Sequence, residues 1–206
     1  MDDLPDTFCY RNSNVGDRVS NENRYEPERR YMERALELGE YAASLGEVPV
    51  GAVIVHKPTG VIIGEGWNLR EAERSPLAHA EIMAINAASR KLGGWRIVDS
   101  AMYVTLEPCP MCAGGILHGR IDDVIFGAFD GKSGSLCSVQ EMFSFPYNHK
   151  PEITGGFMEE ECRELLKRFF RELRAGKKAH GVKWKKEMSR ACENALADQN
   201  GGNDII

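Results

Sequence analysis

The chain has 206 residues, of which 42% are hydrophobic and 28% are charged, as in one globular domain that buries its core without help from disulfides. Its 31 acidic and 26 basic residues give a net charge of −5, which by itself argues against a nucleic-acid partner. The longest apolar runs, such as residues 53–55, are too short to span a membrane, and the acidic start lacks the features of a secretion signal, so we expect a cytoplasmic protein.

The first half of the chain predicts an arm, a helix and a hairpin. Residues 1–26 are polar and charged without periodicity, which indicates a flexible arm. Pro27 favours the start of a helix whose apolar residues recur at helical spacing until Gly46. Two β-branched runs, residues 50–56 and 61–66, flank a Lys-Pro-Thr-Gly turn and predict a β-hairpin.

The second half alternates helices with strands. The predicted helices are residues 79–92, 110–119 and about 158 to beyond 174, and the predicted strands are residues 101–106 and 123–128. Residues 130–150 are rich in loop formers, with a short helix expected at 138–143. This order predicts one α/β domain over residues 27–180, with three layers around a mixed sheet, followed by a basic and then polar extension over residues 181–206.

Cysteine and histidine side chains form the clearest motif. Cys109 and Cys112 are three residues apart at the start of a predicted helix, so their sulfur atoms lie on one face, where the helix N-terminus favours thiolates. Six scattered cysteines do not suggest a disulfide scaffold, so in a reducing compartment this pair indicates metal binding or redox chemistry. His79 opens the neighbouring helix and can supply a third ligand, which predicts a zinc site.

Three protein ligands leave one position of a tetrahedral zinc open, which is typical of catalytic sites, and water there becomes nucleophilic near neutral pH. Glu81 comes two residues after His79 and projects from the helix in another direction, so we expect it beside the metal as a proton shuttle. Two alternatives stay open at this point: a redox pair of cysteines, or a closed structural site. In the second, His56, His118 or Cys137 would be the fourth ligand.

Further stretches of sequence accompany this motif, and together they cover roughly residues 28–180. They are Glu47–Val53, Gly64–Asn68, His79–Ala84, Trp95–Arg96, Tyr103–Cys109, Phe126–Ala128, Gly134–Leu136, Asn148–His149 and Phe169–Arg171. With them the chain resembles the bacterial tRNA-specific adenosine deaminases, the TadA family, which convert the wobble adenosine of tRNA to inosine. The resemblance implies a three-layer α/β/α, cytidine-deaminase-like fold with about five strands and a homodimer. It also implies one zinc per subunit on His79, Cys109 and Cys112.

The same resemblance implies substrate contacts. Asn68 matches the asparagine that hydrogen-bonds the flipped-out base, although a turn residue after a strand is the alternative. Asn148 and His149 match a loop that lines the pocket near the flanking nucleotides, and ordering of that loop is their alternative role. The segment 130–134 is shorter than in the family, which leaves the position of Asp130 open.

The implied reaction is hydrolytic deamination of adenosine in the tRNA anticodon loop. Water activated at the site adds to C6 of adenine as Glu81 takes its proton, and Glu81 then returns protons to N1 and to the leaving ammonia. A zinc deaminase of a free base or nucleoside, of guanine or cytosine type, is the nearest alternative. A non-catalytic, zinc-stabilised RNA-binding module is the other, and Glu81 argues against it because a structural site does not need that carboxylate.

Basic residues gather near the end of the chain. Residues 163–190 contain eleven Lys or Arg and three Glu, a net charge of +8 within a chain of −5. Such clustering is typical of phosphate binding and predicts a tRNA contact, although a solvated helix face is the alternative. Phe169 and Phe170 can stack a base or pack on the core, and we expect at least one of them to face inward.

Overall fold

The computed structural model describes residues 10–11 and 25–179. Within these residues one sheet lies between two pairs of helices. The helices are α1 (Arg29–Ser44), α2 (Ala80–Leu92), α3 (Pro110–Gly119) and α4 (Glu159–Ala179), with a 3-10 turn at Met142–Ser144. The strands are β1 (Tyr10–Arg11), β2 (Gly51–His56), β3 (Val61–Trp67), β4 (Ser100–Leu106), β5 (Asp123–Ala128) and β6 (Glu152–Gly155).

The sheet is mixed and has the strand order β1-β6-β5-β4-β2-β3. Strands β4, β5 and β6 run parallel, whereas β2 is antiparallel to both β3 and β4, and β1 is antiparallel to β6. The expected three-layer α/β/α architecture with a mixed sheet is confirmed. Five strands of four or more residues match the expected number, and the two-residue β1 is added from the segment predicted to be a flexible arm.

Helices cover both faces of the sheet. Helices α1 and α4 pack on one face, around Val53 and Tyr103, and α2 and α3 pack on the other, around Ile54 and Val104. Residues on both faces of β2, β4 and β5 are therefore buried, which explains their continuous apolar runs. No helix in the described part of the chain is long and apolar enough to cross a membrane.

Two glycines let α2 lie directly on β3. A Cβ at Gly64 or Gly66 would overlap the carbonyl oxygen of Ala84 or Ala80, so only glycine permits this distance between helix and strand. The backbone of β3 thereby sets the position of the first turn of α2. That turn carries two of the predicted site residues, His79 and Glu81.

The structure differs from the predicted elements in two places, and other predictions lie outside the described residues. Strand β6 was not predicted, because its four residues follow a long loop and offer little periodicity. The short helix expected at 138–143 is a 3-10 turn of three residues. Apart from Tyr10–Arg11, the predicted arm up to residue 24 lies outside the described residues, as does the extension 181–206.

Candidate active site

The predicted metal ligands, Glu81 and Asn68 lie at one edge of the sheet, where three strands end. Strand β3 is parallel to β4, since β2 pairs antiparallel with both, and β4 is parallel to β5. The carboxyl ends at Trp67, Leu106 and Ala128 therefore share an edge. Asn68 follows the first of these strands, and Cys109 follows the second.

His79 and Cys109 each immediately precede a helix. Both have extended backbone conformations, His79 before α2 and Cys109 before α3, and Pro110 occupies the first turn of α3. Helices α2 and α3 pack against each other, which brings their N-termini together. Cys112, one turn into α3, is buried beside them. Backbone N–H groups at these helix ends favour negatively charged sulfur.

The three predicted ligands have the spacing of a metal site. Nδ1 of His79 lies 3.7 Å from the Cys109 sulfur and 3.5 Å from the Cys112 sulfur. The three ligand atoms all lie within 4.8 Å of one another. Tetrahedral zinc, bound at about 2.3 Å by sulfur and about 2.1 Å by nitrogen, separates these two ligand atoms by about 3.6 Å. The side chains therefore fit zinc as they stand.

The residues considered as a fourth ligand of a closed structural site do not belong to the ligand group. Among the described residues, the ligand group consists of His79, Cys109 and Cys112, and it does not include His56, His118 or Cys137. This arrangement favours a metal site with an open position over a structural one.

The protonation of the two thiols also suits a metal. A hydrogen bond from Cys112 lowers the pKa of Cys109 to about 4, and the same bond holds the pKa of Cys112 well above its usual range. The hydrogen bond with Cys109 raises the pKa of His79. The two sulfur atoms therefore share one proton, and a bound dication would displace it.

Glu81 lies in the first turn of α2, beside the ligand group and outside it. Its side chain is 4% exposed, and burial raises its pKa to about 6. A carboxyl group that titrates near neutral pH can both accept and donate a proton, as a proton shuttle must.

Asn68 is held against the same edge by its neighbours. Its backbone N–H donates to the Val50 carbonyl, and the next residue, Leu69, donates to the carbonyl of Ala78, which precedes His79. The side-chain Nδ2 of Asn68 donates to Oε2 of Glu47 at 3.2 Å. Both Asn68 and Glu47 are buried. Asn68 is thus one residue from a hydrogen bond to Ala78, which precedes His79, and its contact with a base stays a prediction.

Glu107 is a second buried carboxylate at this edge. Its Oε1 accepts backbone N–H donors from Leu136, Cys137 and Ser138 at 3.1, 2.7 and 2.9 Å. Its Oε2 accepts the Asp130 N–H at 3.1 Å and the Ser138 hydroxyl. Glu107 therefore fixes the loop 130–138 to the turn that carries Cys109.

The same loop is held to the cysteine turn at a second point. Both the backbone N–H and the hydroxyl of Ser135 donate to the Pro108 carbonyl. Within the loop, Asp130 accepts from the Lys132 N–H and the Ser133 hydroxyl, which closes a local turn. The open question about Asp130 is thereby answered: its side chain shapes the shortened loop.

Asn148 and His149 do not lie near the metal ligands. They precede β6, whose start pairs with the start of β5, so they sit at the opposite edge of the sheet from the ligands. Arg120, at the end of α3, donates to Oδ1 of Asn148 at 2.8 Å, and His149 hydrogen-bonds the Ile121 carbonyl at 2.7 Å. Within one chain these contacts favour the loop-ordering alternative, and substrate contact by either residue stays a prediction.

The first part of the predicted basic segment is neutralised by ion pairs. On α4, Arg163 pairs with Glu159 and Glu160, and Arg168 with Glu40. Weaker pairs join Lys167 to Glu160 at 3.6 Å and Arg171 to Glu164 at 3.8 Å. The unbalanced positive charge therefore belongs to later residues, whose side chains beyond residue 176 lie outside those described.

Phe169 and Phe170 face opposite ways on α4. Phe169 is 9% exposed and packs inward, whereas Phe170 is 38% exposed. The expectation that at least one of them faces inward is confirmed. Phe170 alone retains the surface needed to stack on a base.

Sequence reasoning missed the roles of two residues at this edge. Glu47 and Glu107 appeared only as parts of matching stretches. Each glutamate lies in a largely apolar stretch, Glu47 shortly before β2 and Glu107 before a Pro-Cys pair, and a buried carboxylate must find hydrogen-bond donors. This pattern becomes specific only when the structure shows which N–H groups converge on each glutamate.

Comparison with known proteins gives consistent matches. Residues 25–128 match the family described as the cytidine and deoxycytidylate deaminase zinc-binding region. The tRNA-specific adenosine deaminase of Bacillus subtilis (strain 168) is 46% identical over 150 residues, covering 72% of this chain and 92% of the relative. The enzyme of that name from Haemophilus influenzae is 46% identical over 156 residues, covering 75% and 90%.

Solved structures agree in fold. One, from a study of A-to-I editing by tRNA:A34 deaminases at the wobble position of transfer RNA, has a TM-score of 0.65 at 38% identity and covers 68% of this chain and 100% of that chain. A guanine deaminase from Nitrosomonas europaea has a TM-score of 0.57 at 23% identity, covering 72% of this chain and 88% of that chain, and shares the fold alone.

Proposed function

Since the chain belongs to the family of tRNA-specific adenosine deaminases, we propose that it converts the wobble adenosine of tRNA to inosine with zinc held by His79, Cys109 and Cys112. The observation that carries this proposal is the set of three ligand atoms within 4.8 Å of one another, with the buried Glu81 beside it. Zinc supplies Lewis-acid chemistry that makes water nucleophilic near neutral pH.

Glu81 moves the protons. It accepts one from the attacking water as the oxygen bonds to C6 of adenine, and delivers it to N1. The hydroxyl now on C6 then gives its proton through Glu81 to the amino nitrogen, the bond from C6 to that nitrogen breaks, the C6 carbonyl forms and ammonia leaves. The burial that raises the pKa of Glu81 to about 6 supports both directions of transfer.

Asn68 binds the base in this proposal. A base inside a stacked anticodon loop cannot reach a metal at the bottom of a pocket, so the nucleotide must turn out of its stack. A buried amide beside the ligands can then hydrogen-bond the base edge and align C6 with the water. The hydrogen bond from Leu69, the residue after Asn68, to Ala78, the residue before His79, supports this role.

The positive charge needed to hold the RNA backbone comes from residues 174–190. This stretch contains Arg174 together with six further Lys or Arg residues and one Glu. Among the described side chains, the ion pairs of α4 involve residues up to Arg171. Clustered lysines here would attract phosphates even though the whole chain is acidic.

We also propose that the protein is a cytoplasmic homodimer with one zinc per subunit. Trp95 and Val98 between α2 and β4 are 57% and 49% exposed, and apolar surface of this kind favours association. Sedimentation of the purified protein measures the mass directly. A monomeric mass at micromolar concentration contradicts the dimer.

The experiment that tests the function compares substrates. The zinc-loaded protein is incubated with a tRNA carrying adenosine at the wobble position, and separately with free adenosine, guanine and cytosine. We expect inosine in the tRNA and no product from the free compounds. Deamination of a free base or nucleoside without reaction on tRNA would establish the alternative function, and no product from any substrate would leave only a binding role.

A further inference from the structure

Glu47 lies on the turn between α1 and β2 and is not one of the metal ligands, yet it is 1% exposed and accepts three N–H donors. Its Oε1 accepts from the backbone N–H groups of Glu71 and Ala72, both at 2.9 Å. Its Oε2 accepts from Nδ2 of Asn68 at 3.2 Å. We propose that Glu47 is a positioning residue that fixes which end of the Asn68 amide faces the substrate base, an inference that rests on the proposed function.

A carboxylate that receives three donors acts only as an acceptor. It can therefore bind the NH₂ group of Asn68 but not its carbonyl oxygen. The two ends of an asparagine amide have nearly the same shape, so packing alone distinguishes them poorly. The Glu47 carboxylate therefore sets the orientation of the Asn68 amide. The second hydrogen on Nδ2 and the Oδ1 atom of Asn68 then remain to hydrogen-bond a base.

The surroundings leave Asn68 little other freedom. Its backbone is bonded to Val50, and Leu69 is bonded to Ala78, so the main chain is fixed on both sides. The remaining freedom is rotation of the side-chain amide. Glu47 removes that freedom because its own carboxylate is anchored by the two backbone N–H groups at 71 and 72. An Asn68 amide that is already oriented before the base binds would hold C6 of the base in line with the attacking water, which speeds the reaction.

If Glu47 only anchored the loop 69–72, Glu47→Gln would leave Asn68 unaffected as long as the loop kept its anchor. The positioning role predicts a different outcome. In Glu47→Gln the single amide oxygen takes the position facing the two backbone donors, because leaving both unpaired costs more than leaving one. The glutamine NH₂ then faces Nδ2 of Asn68, donor against donor. The loop keeps its anchor, while the Asn68 amide must turn over.

A double-mutant cycle separates the two roles. Wild type, E47Q, N68A and E47Q/N68A are loaded with zinc and assayed for inosine formation in tRNA, with metal content and thermal midpoint measured for each. We expect E47Q to lower kcat/KM by about 10- to 100-fold in the wild-type background. In the N68A background we expect it to change kcat/KM by less than about twofold.

Glu73→Gln is the matched control. It removes the same charge at an exposed side chain in the loop that Glu47 contacts, and we expect wild-type kinetics. Equal losses from E47Q in both backgrounds would overturn the proposal, because Glu47 would then act without Asn68. Wild-type kcat/KM in N68A would also overturn it, because no amide would need positioning.

A second readout does not depend on activity. In a ¹H–¹⁵N spectrum of the ¹⁵N-labelled full chain, the Asn68 side-chain NH₂ signals are assigned by their absence from N68A. We expect two widely separated, slowly exchanging protons in wild type and a shift of both in E47Q. Signals of an ordinary solvent-exposed amide in wild type would overturn the positioning contact. Absence of inosine with an intact contact would instead count against the proposed function.

Discussion

Nδ1 of His79 lies 3.5 Å from the sulfur of Cys112, although 33 positions separate the two residues. The distance follows from two helix starts that meet at one sheet edge, α2 on the glycines of β3 and α3 after β4. A ligand set placed by packed helices and strands exists before any metal arrives. Such preorganisation favours tight and specific binding.

Loss of any of the three ligands is expected to abolish zinc binding. We predict that Cys112→Ser, and likewise His79→Ala, reduces metal content from one zinc per chain to less than about one tenth after dialysis, because two ligands hold zinc weakly. Atomic emission of the purified protein measures this. His118→Ala is the control, since His118 lies outside the ligand group. Full zinc content in C112S would contradict the assignment.

Zinc affinity should rise with pH. The pKa of Cys109 is lowered to about 4, so this thiol is already ionised at neutral pH, whereas the raised pKa of Cys112 keeps its proton on sulfur. Binding must release that proton, so we predict that affinity increases by roughly tenfold per pH unit between pH 6 and 8. Competition with a chromophoric chelator measures the slope. A pH-independent affinity is the opposing outcome.

Glu81→Gln should separate binding from chemistry. Glu81 is outside the ligand group, so we predict that the variant keeps one zinc per chain. Without a group that accepts and returns protons, kcat for inosine formation should fall by about 100- to 10,000-fold. Metal content and single-turnover rates are measured on one preparation. Wild-type rates in this variant would contradict the assignment of Glu81 as the proton shuttle.

Glu107→Ala should destabilise the fold strongly. The change removes the acceptor for four backbone N–H groups and one hydroxyl in the loop 130–138. We predict a loss of roughly 3 kcal/mol or more in unfolding free energy, measured by urea titration. Glu107→Gln, which retains one acceptor oxygen, should lose less. Glu73→Ala, an exposed change of the same kind, should lose under about 0.5 kcal/mol.

Periodicity and spacing predicted the metal ligands well because each is tied to a local signal. Cys109 and Cys112 are marked by Pro110 at a helix start, and His79 by the start of another helix. The partners of the two buried glutamates could not be predicted in this way. Their donors lie 21 to 31 positions away, for example Asn68 for Glu47 and Ser138 for Glu107, and a local sequence pattern does not show which residues meet over such separations.

Partners that are distant in sequence also affect how the charge pattern is interpreted. A run of lysines and arginines was visible in the sequence, but the glutamates that neutralise its first part include Glu40, which lies on another helix. Counting charges along the chain therefore does not show that Arg163, Lys167, Arg168 and Arg171 have acidic partners.

These ion pairs give a prediction for tRNA binding. Changing Arg174, Lys177 and Lys178 to Gln should weaken tRNA affinity and flatten its dependence on salt, because contacts with phosphates release counterions. The matched control changes Arg163, Lys167 and Arg171 to Gln, which removes the same charge from residues that already have acidic partners. We expect the first variant to lose at least about tenfold more affinity at 50 mM salt, measured by filter binding over a salt series. Equal losses in both variants would show that net charge alone attracts the RNA, and that residues after Arg171 form no separate phosphate-binding surface.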